Sequence, residues 1–268
     1  MEADVDFEEM YIDYEGKRTW ISHSPISVDF KKIDSSARKT RVEEEIDKLQ
    51  GYQYVSDNTI GLGIDRLDYA KEIPERLEAI DRFLEKYPQH QENFLFLQAA
   101  APILSRLPDY RRLSQEVQTK VDKINTKYEK NGWRPIWFIE EKVDVETLRA
   151  LQRIADVYIV SSLHDGLNLV SKENISADVE KDGVLLLSKF AGAVEELQEA
   201  IKINPFDTEE FADLIQGALE MPAQKKRRKM ESLRETVSNH TIYDWLSDVF
   251  ETSKEFMKLR NVPTTSKD

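Results

Sequence analysis

The sequence predicts an α/β protein built on a doubly wound, mostly parallel sheet. Two observations carry that expectation. From Tyr52 onward, short apolar runs alternate with amphipathic segments at the spacing of strand–helix units. The run Ala155–Val160 reads as a buried parallel strand, and it leads through a polar turn at Gly166 into the apolar spacing of a helix start, Leu167, Leu169 and Val170. In sheets of this kind ligands bind at the carboxyl ends of the strands, near the point where strand order reverses.

Taken in order, residues 1–28 do not look like the start of a complete domain. Met10–Tyr14, a turn at Glu15-Gly16 and Arg18–Ser22 resemble a short hairpin, and Ser24-Pro25 starts an extended exit because the residue before proline avoids the helical region. Residues 29–51 are highly charged, with Ile46 and Leu49 as a thin apolar stripe, so one surface linker helix ending at Gly51 is expected. Thr59–Ile64 is the first strand of the alternating region. Pro74–Tyr87 is a helix, with Leu77, Ile80, Phe83 and Leu84 on one face and Pro74 near its first turn. Strand Asn93–Gln98, a long helix from Tyr110 to about Tyr128, strand Pro135–Ile139 and helix Val145–Ile154 follow. After the strand at 155–160 come a helix from 168, strand Gly183–Ser188, a short helix around 193–199, strand Ala200–Asn204 and helix Thr208–Met221. The Rossmann-like region is thus drawn as 52–240, with a C-terminal helix and polar tail over 241–268. The basic stretch Lys225–Lys229 reads as a solvated helix face.

Composition narrows the function classes. A chain of 268 residues can bury a substantial core, at the upper size for one domain. The absence of Cys excludes a disulfide framework and a thiolate nucleophile. The four His (His23, His90, His164, His240) contain no pair at metal-ligand spacing, so no metal is expected. A net charge of −13 disfavours non-specific nucleic-acid binding, so any phosphate must be held by a few placed cations. No apolar run reaches the length of a membrane span, and the acidic Met-Glu-Ala-Asp-Val-Asp start is unlike a signal peptide, which suits a cytoplasmic protein.

The stretch Ser161–Glu173 joins a strand, a glycine turn and a helix start, an arrangement that offers backbone N–H groups to an anion. Asp165 opens the turn and Glu173 follows eight residues on. Two carboxylates beside such a turn suit a ligand with phosphate and many hydroxyls, as a nucleotide-sugar has. Equally, Asp165 could be the N-cap of an ordinary strand–turn–helix.

Several longer motifs add to this. Gly63-Ile-Asp-Arg-Leu-Asp-Tyr-Ala-Lys-Glu-Ile-Pro-Glu-Arg76, Asp165-Gly-Leu-Asn-Leu-Val-Ser-Lys-Glu173, Leu187–Leu197, Asn204-Pro-Phe-Asp207 and Ser24-Pro-Ile-Ser-Val-Asp29 occur in that order. Together they resemble the trehalose-6-phosphate synthase family of retaining glycosyltransferases, from about Tyr14 to Leu259. The resemblance covers the second, donor-binding half of that family's GT-B arrangement of two Rossmann-like domains. It implies that Arg66 and Lys71 bind the donor diphosphate and that Asp165 meets a donor-sugar hydroxyl. Gly166, Leu167 and Asn168 would offer N–H groups, and Glu173 would accept from the ribose. Arg66, Lys71 and Asp165 would be the catalytic groups, and the donor-binding set would extend to Phe138, Ile139, Leu169 and Val170. Trp137 and Phe138 lie where the family's nucleobase pocket begins, though core packing accounts for them equally.

The implied reaction transfers glucose from UDP-glucose or GDP-glucose (an adenine donor is also open) to a phosphorylated sugar acceptor. It needs no cofactor, and a second polypeptide would supply the N-terminal Rossmann domain. The C-terminal helix, through Tyr243, Trp245, Leu246 and Phe250, would help dock that partner. Three departures bear on it. Glu72 stands where the family usually has Gly, Leu104 (with Arg106 two places on) where an Arg helps hold the donor, and His164 where an Arg precedes Asp-Gly. They keep open an inactive nucleotide-sugar-binding or regulatory subunit, a glucosylglycerol-phosphate synthase and a pseudo-glycosyltransferase.

Overall fold

The structure, a computed structural model, describes residues 3–8, 10–103 and 108–260, and falls into two units. The smaller takes residues from 1–29 and 240–268. Strands β1 (Asp4–Asp6), β2 (Tyr11–Tyr14) and β3 (Lys17–Trp20) form an antiparallel meander. The expected hairpin therefore has a third strand at its edge. The C-terminal helix of the chain (Ile242–Arg260) belongs to this unit. The Trp20 ring stacks on Phe256, and the Trp245 indole donates to the Ser24 carbonyl at 3.1 Å.

The larger unit spans Phe30–Asn239. The charged segment expected as one linker helix is two, α1 (Phe30–Ala37) and α2 (Thr40–Gln50). Lys39 takes an extended conformation and caps α2, and Val42, Ile46 and Leu49 are buried. After the short α3 (Gln53–Ser56), the chain alternates in the expected way. In order come β4 (Thr59–Arg66), α4 (Ile73–Lys86), β5 (Phe94–Ala101), α5 (Pro108–Tyr128), β6 (Ile136–Ile139), α6 (Val145–Arg153), β7 (Val157–Val160), α7 (Leu169–Ala177), β8 (Val184–Ser188), β9 (Ile201–Ile203), α8 (Thr208–Leu219) and α9 (Ala223–Asn239). The final helix is α10. A 3-10 turn at Tyr69–Lys71 precedes α4, and another at Gly192–Glu195 follows β8.

All six strands of the larger sheet are parallel, in the order β6-β5-β4-β7-β8-β9. Strand order therefore reverses between β4 and β7, the position at which such sheets leave a crevice at their carboxyl ends. Alternate residues of the strands (Phe94, Phe96, Val157, Ile159, Leu186) form one core with Leu77, Ile80, Phe83 of α4, Val117 and Val121 of α5, and Phe211 and Ile215 of α8. Their neighbours Leu95, Leu97, Tyr158, Leu185 and Leu187 are equally buried, as the two-residue period of a strand covered on both faces requires. On the second face α7 packs on α9 and α1, and α6 on α2. Among the described residues no helix is long and apolar enough to cross a membrane, and no group of three or more His, Asp or Glu could hold a metal ion.

Candidate active site at the carboxyl edge of the sheet

Two loops meet at the reversal of strand order. The first, after β4, runs Leu67–Glu72. It is shaped by Asp68, whose carboxylate accepts from the Ala70 N–H at 3.3 Å, and by the Lys71 N–H, which donates to the Asp68 carbonyl at 3.0 Å. The second, after β7, runs Ser161–Asn168. The Leu163 N–H donates to the Ala70 carbonyl at 3.1 Å, and Lys71 Nζ reaches Asp165 Oδ2 at 2.5 Å. The sequence separation of this pair is 94 residues. Burial alone would raise the Asp165 carboxyl, but the Lys71 ammonium and the Asn168 amide (3.0 Å) outweigh it and hold the group below the usual carboxylate range. Asp165 is therefore ionised at neutral pH, and one of its oxygens is already engaged.

Arg66 ends β4 with its side chain 68% exposed, and its nearest anionic partner, Asp68, is 3.6 Å away. It is a cation turned to solvent at the mouth of the crevice. Asn168, not Asp165, is the N-cap of α7. Its side chain accepts from the Ser171 N–H at 3.0 Å, and its backbone sits at φ 78°. Asparagine tolerates the left-handed region better than most residues, which frees Asp165 for another use. The Leu167 N–H is not free either, since it bonds the Asp165 carboxylate. The amides of Gly166, Asn168, Leu169 and Val170 have no protein acceptor among the described residues, so the anion-binding character lies on those four. Gly192 locks the turn from behind. Its N–H donates to the Asp165 carbonyl at 2.9 Å, and a Cβ there would lie 2.1 Å from the Gly166 carbonyl oxygen. Lys172, buried on the first turn of α7, holds both oxygens of Glu196 at 2.8 and 2.9 Å, tying the helix to the segment that carries Gly192.

Glu173 is half-buried on α7 and makes no hydrogen bond or ion pair among the described residues. Burial pushes its carboxyl up, with the Arg149 charge opposing. Phe138 and Ile139 lie at the end of β6, in register with Gln98 and Ala99 of β5. They line a hollow with Tyr52, Trp137, Leu49 and Leu151 that does not include Arg66, Lys71, Asp165 or Glu173. His164 is exposed. Leu104 and Arg106 lie outside the described residues.

Sequence reasoning passed over the group beneath these loops. Arg76, in the first turn of α4, is fully buried and donates to Asp65 (2.6 Å), Gln98 (2.8 Å), Ser161 (2.8 Å) and the Lys71 carbonyl (3.3 Å). A signal existed in Gln98, the one amide side chain in the otherwise apolar strand Phe94–Ala101. Glu72, noted for its residue type, proves notable for its backbone. It sits at φ 49° and ψ 49° between the 3-10 turn and α4, where glycine fits without steric cost. Burial, then the hydrogen bond and charge of Glu75, push its carboxyl up to about 8.

A doubly wound parallel domain with cations, carboxylates and unbonded amides at its switch point is a Rossmann-like α/β domain with a candidate anion site at its carboxyl edge. Comparison with known proteins specifies the class. Residues 1–255 match glycosyltransferase family 20, and the chain belongs to that family. It is 38% identical over 221 residues to an alpha,alpha-trehalose-phosphate synthase [UDP-forming] of Dictyostelium discoideum, covering 82% of this chain and 30% of that protein. The 56 kDa subunit of the Saccharomyces cerevisiae synthase is 34% identical over 87% of this chain and 47% of its own length. Among solved structures, the Escherichia coli protein bound with UDP-2-fluoro glucose superposes with a TM-score of 0.87 at 28% identity, over 94% of this chain and 55% of that one. A Burkholderia xenovorans synthase in complex with glucose-6-phosphate gives 0.86, also at 28% identity, over 90% and 53%. The chain thus spans about half or less of the length of the relatives it matches, and its fold is that of one GT-B half.

Proposed function

We propose that this chain is the donor-binding half of a retaining glycosyltransferase. It would transfer glucose from UDP-glucose to a phosphorylated sugar acceptor, with the acceptor-side domain supplied by another polypeptide. The observation that carries the reading is the meeting of Arg66, Lys71 and Asp165 with four unbonded amides at the reversal of strand order. Breaking a sugar–phosphate bond builds negative charge on the departing nucleoside diphosphate, and fixed cations stabilise it there. Arg66 offers a planar fork to phosphate oxygens, and Lys71 a point charge that can turn from Asp165 toward them. The amides of Gly166, Asn168, Leu169 and Val170 complete the anion cradle. The Asp165 oxygens accept from a sugar hydroxyl, and the unengaged Glu173 accepts from the two vicinal ribose hydroxyls. Phe138 and Ile139 border the base. These cations supply the charge that a metal would otherwise bring, and no protein nucleophile is called for, because the departing phosphate deprotonates the acceptor on the same face. UDP is chosen because the synthases above are named UDP-forming.

A second reading, a nucleotide-sugar-binding regulatory subunit without transfer, draws on Glu72, which places a carboxyl next in sequence to Lys71 in a backbone geometry suited to glycine. Calorimetric titration of the chain with UDP and UDP-glucose tests the donor site common to both. Affinity near micromolar, about −8 kcal/mol, is expected for the wild type. Arg66→Ala should weaken UDP about tenfold or more, the scale of a charge-assisted hydrogen bond. An Arg66→Ala variant that binds as well as wild type would remove the diphosphate role. Glucose release or transfer upon adding an acceptor-side domain then separates the first reading from the second.

A further inference from the structure

We propose that Arg76 is a positioning residue for Lys71, fixing the backbone from which that cation reaches the donor diphosphate; the inference rests on the nucleotide-sugar reading above. The guanidinium lies across the carboxyl ends of three adjacent strands. It binds Asp65 of β4 and Gln98 of β5 through Nη1 and Ser161, just beyond β7, through Nε, so it straddles the reversal of strand order. Its Nη2 donates to the Lys71 carbonyl at 3.3 Å, and this bond ties it to the loop that follows β4.

Stability alone does not account for such a group. A fully buried guanidinium must be stripped of water, and an apolar side chain of similar size commonly serves a core as well or better. The other inward residues of α4, from Ile73 and Leu77 to Phe83, show that apolar packing is what this face otherwise uses. Yet four further positions are given over to Arg76. Asp65, Gln98 and Ser161 accept from it, and Gly63 is obliged to lack a side chain, since a Cβ there would lie 2.4 Å from Nη1 and 2.6 Å from the Gln98 oxygen. The Lys71 backbone is then held on both sides, its N–H by Asp68 and its carbonyl by Arg76, while Nζ meets Asp165. A cation meant for a diphosphate gains from a fixed root, because a side chain that springs from an ordered backbone loses less freedom on binding.

A double-mutant cycle tests this on the chain as it stands, with UDP as the probe. Arg76→Lys keeps the charge, but one ammonium cannot reach all four acceptors. It should weaken UDP about tenfold in the wild-type background and change nothing further in a Lys71→Ala background, the pattern of two residues acting as one. Ser161→Ala, which removes one of the four bonds, should give the same pattern at about threefold, and it serves if Arg76→Lys does not fold. Equal losses in both backgrounds would make Arg76 a structural residue and overturn the inference. Unchanged UDP affinity in Arg76→Lys and Ser161→Ala would do the same while leaving the nucleotide-sugar reading intact. A wild-type chain that binds no UDP would overturn that reading, and this inference with it.

Discussion

At the scale of single residues, Glu72 is where backbone and charge disagree most openly. Holding a non-glycine residue in the left-handed region costs about 1–2 kcal/mol, part of which Gly returns through the larger entropy of its unfolded chain. The raised Glu72 carboxyl adds a pH dependence. The folded state retains a proton that the unfolded chain releases near its ordinary value, so stability falls as pH rises from that value through about 8. Glu72→Gly should therefore raise Tm by about 2 °C at pH 5, where only backbone strain is relieved. The gain should be larger at pH 9, where the burial of an ionised carboxylate and its repulsion by Glu75 are also removed. A gain that shrinks with rising pH in thermal scans would contradict the assignment.

Elements act here through their ends. The turn between β7 and α7 is not rigid by its own sequence. It is clamped by the Gly192 N–H on the Asp165 carbonyl, by the Ala193 N–H on the Leu167 carbonyl, and by Lys172 on Glu196. Gly192→Ala places a methyl group into the Gly166 carbonyl and must displace the turn or the 3-10 segment. We expect a loss of about 1–3 kcal/mol in chemical denaturation, the usual cost of forced overpacking, with UDP affinity falling alongside. Ala at Gly217 of α8, where a Cβ would meet nothing within 4 Å, is the control and should leave UDP binding unchanged.

For the molecule as a whole, the C-terminal helix is the informative surface. Tyr243, Leu246, Phe250 and Met257 are exposed on α10, whereas Trp245, expected to face a partner with the first three, turns its indole to Ser24 within its own unit. The exposed four recur at helical spacing and so form an apolar strip on one face of α10, where the proposed function would seat the acceptor-side domain. If an acceptor-side domain is the occupant, Leu246→Asp with Phe250→Asp should abolish co-purification with that domain and any glucose transfer, while UDP affinity stays at the wild-type value. Retained assembly in the double variant would place the contact elsewhere.

How much of this the sequence determined by itself follows from the range of the interactions. The strand–helix alternation and the parallel sheet were legible, because hydrophobic period is local, and contiguous motifs were enough to single out Arg66, Lys71, Asp165 and Glu173 as candidates. The division of the charged segment into α1 and α2, and the N-cap at Asn168 in place of Asp165, needed the backbone path. Only the tertiary structure brought Lys71 to Asp165 and gave Arg76 its meaning. Its partners Gln98 and Ser161 lie 22 and 85 residues away in the chain. A buried guanidinium and the glycine that makes room for it cannot be told from ordinary helix and strand residues until packing closes the space between them.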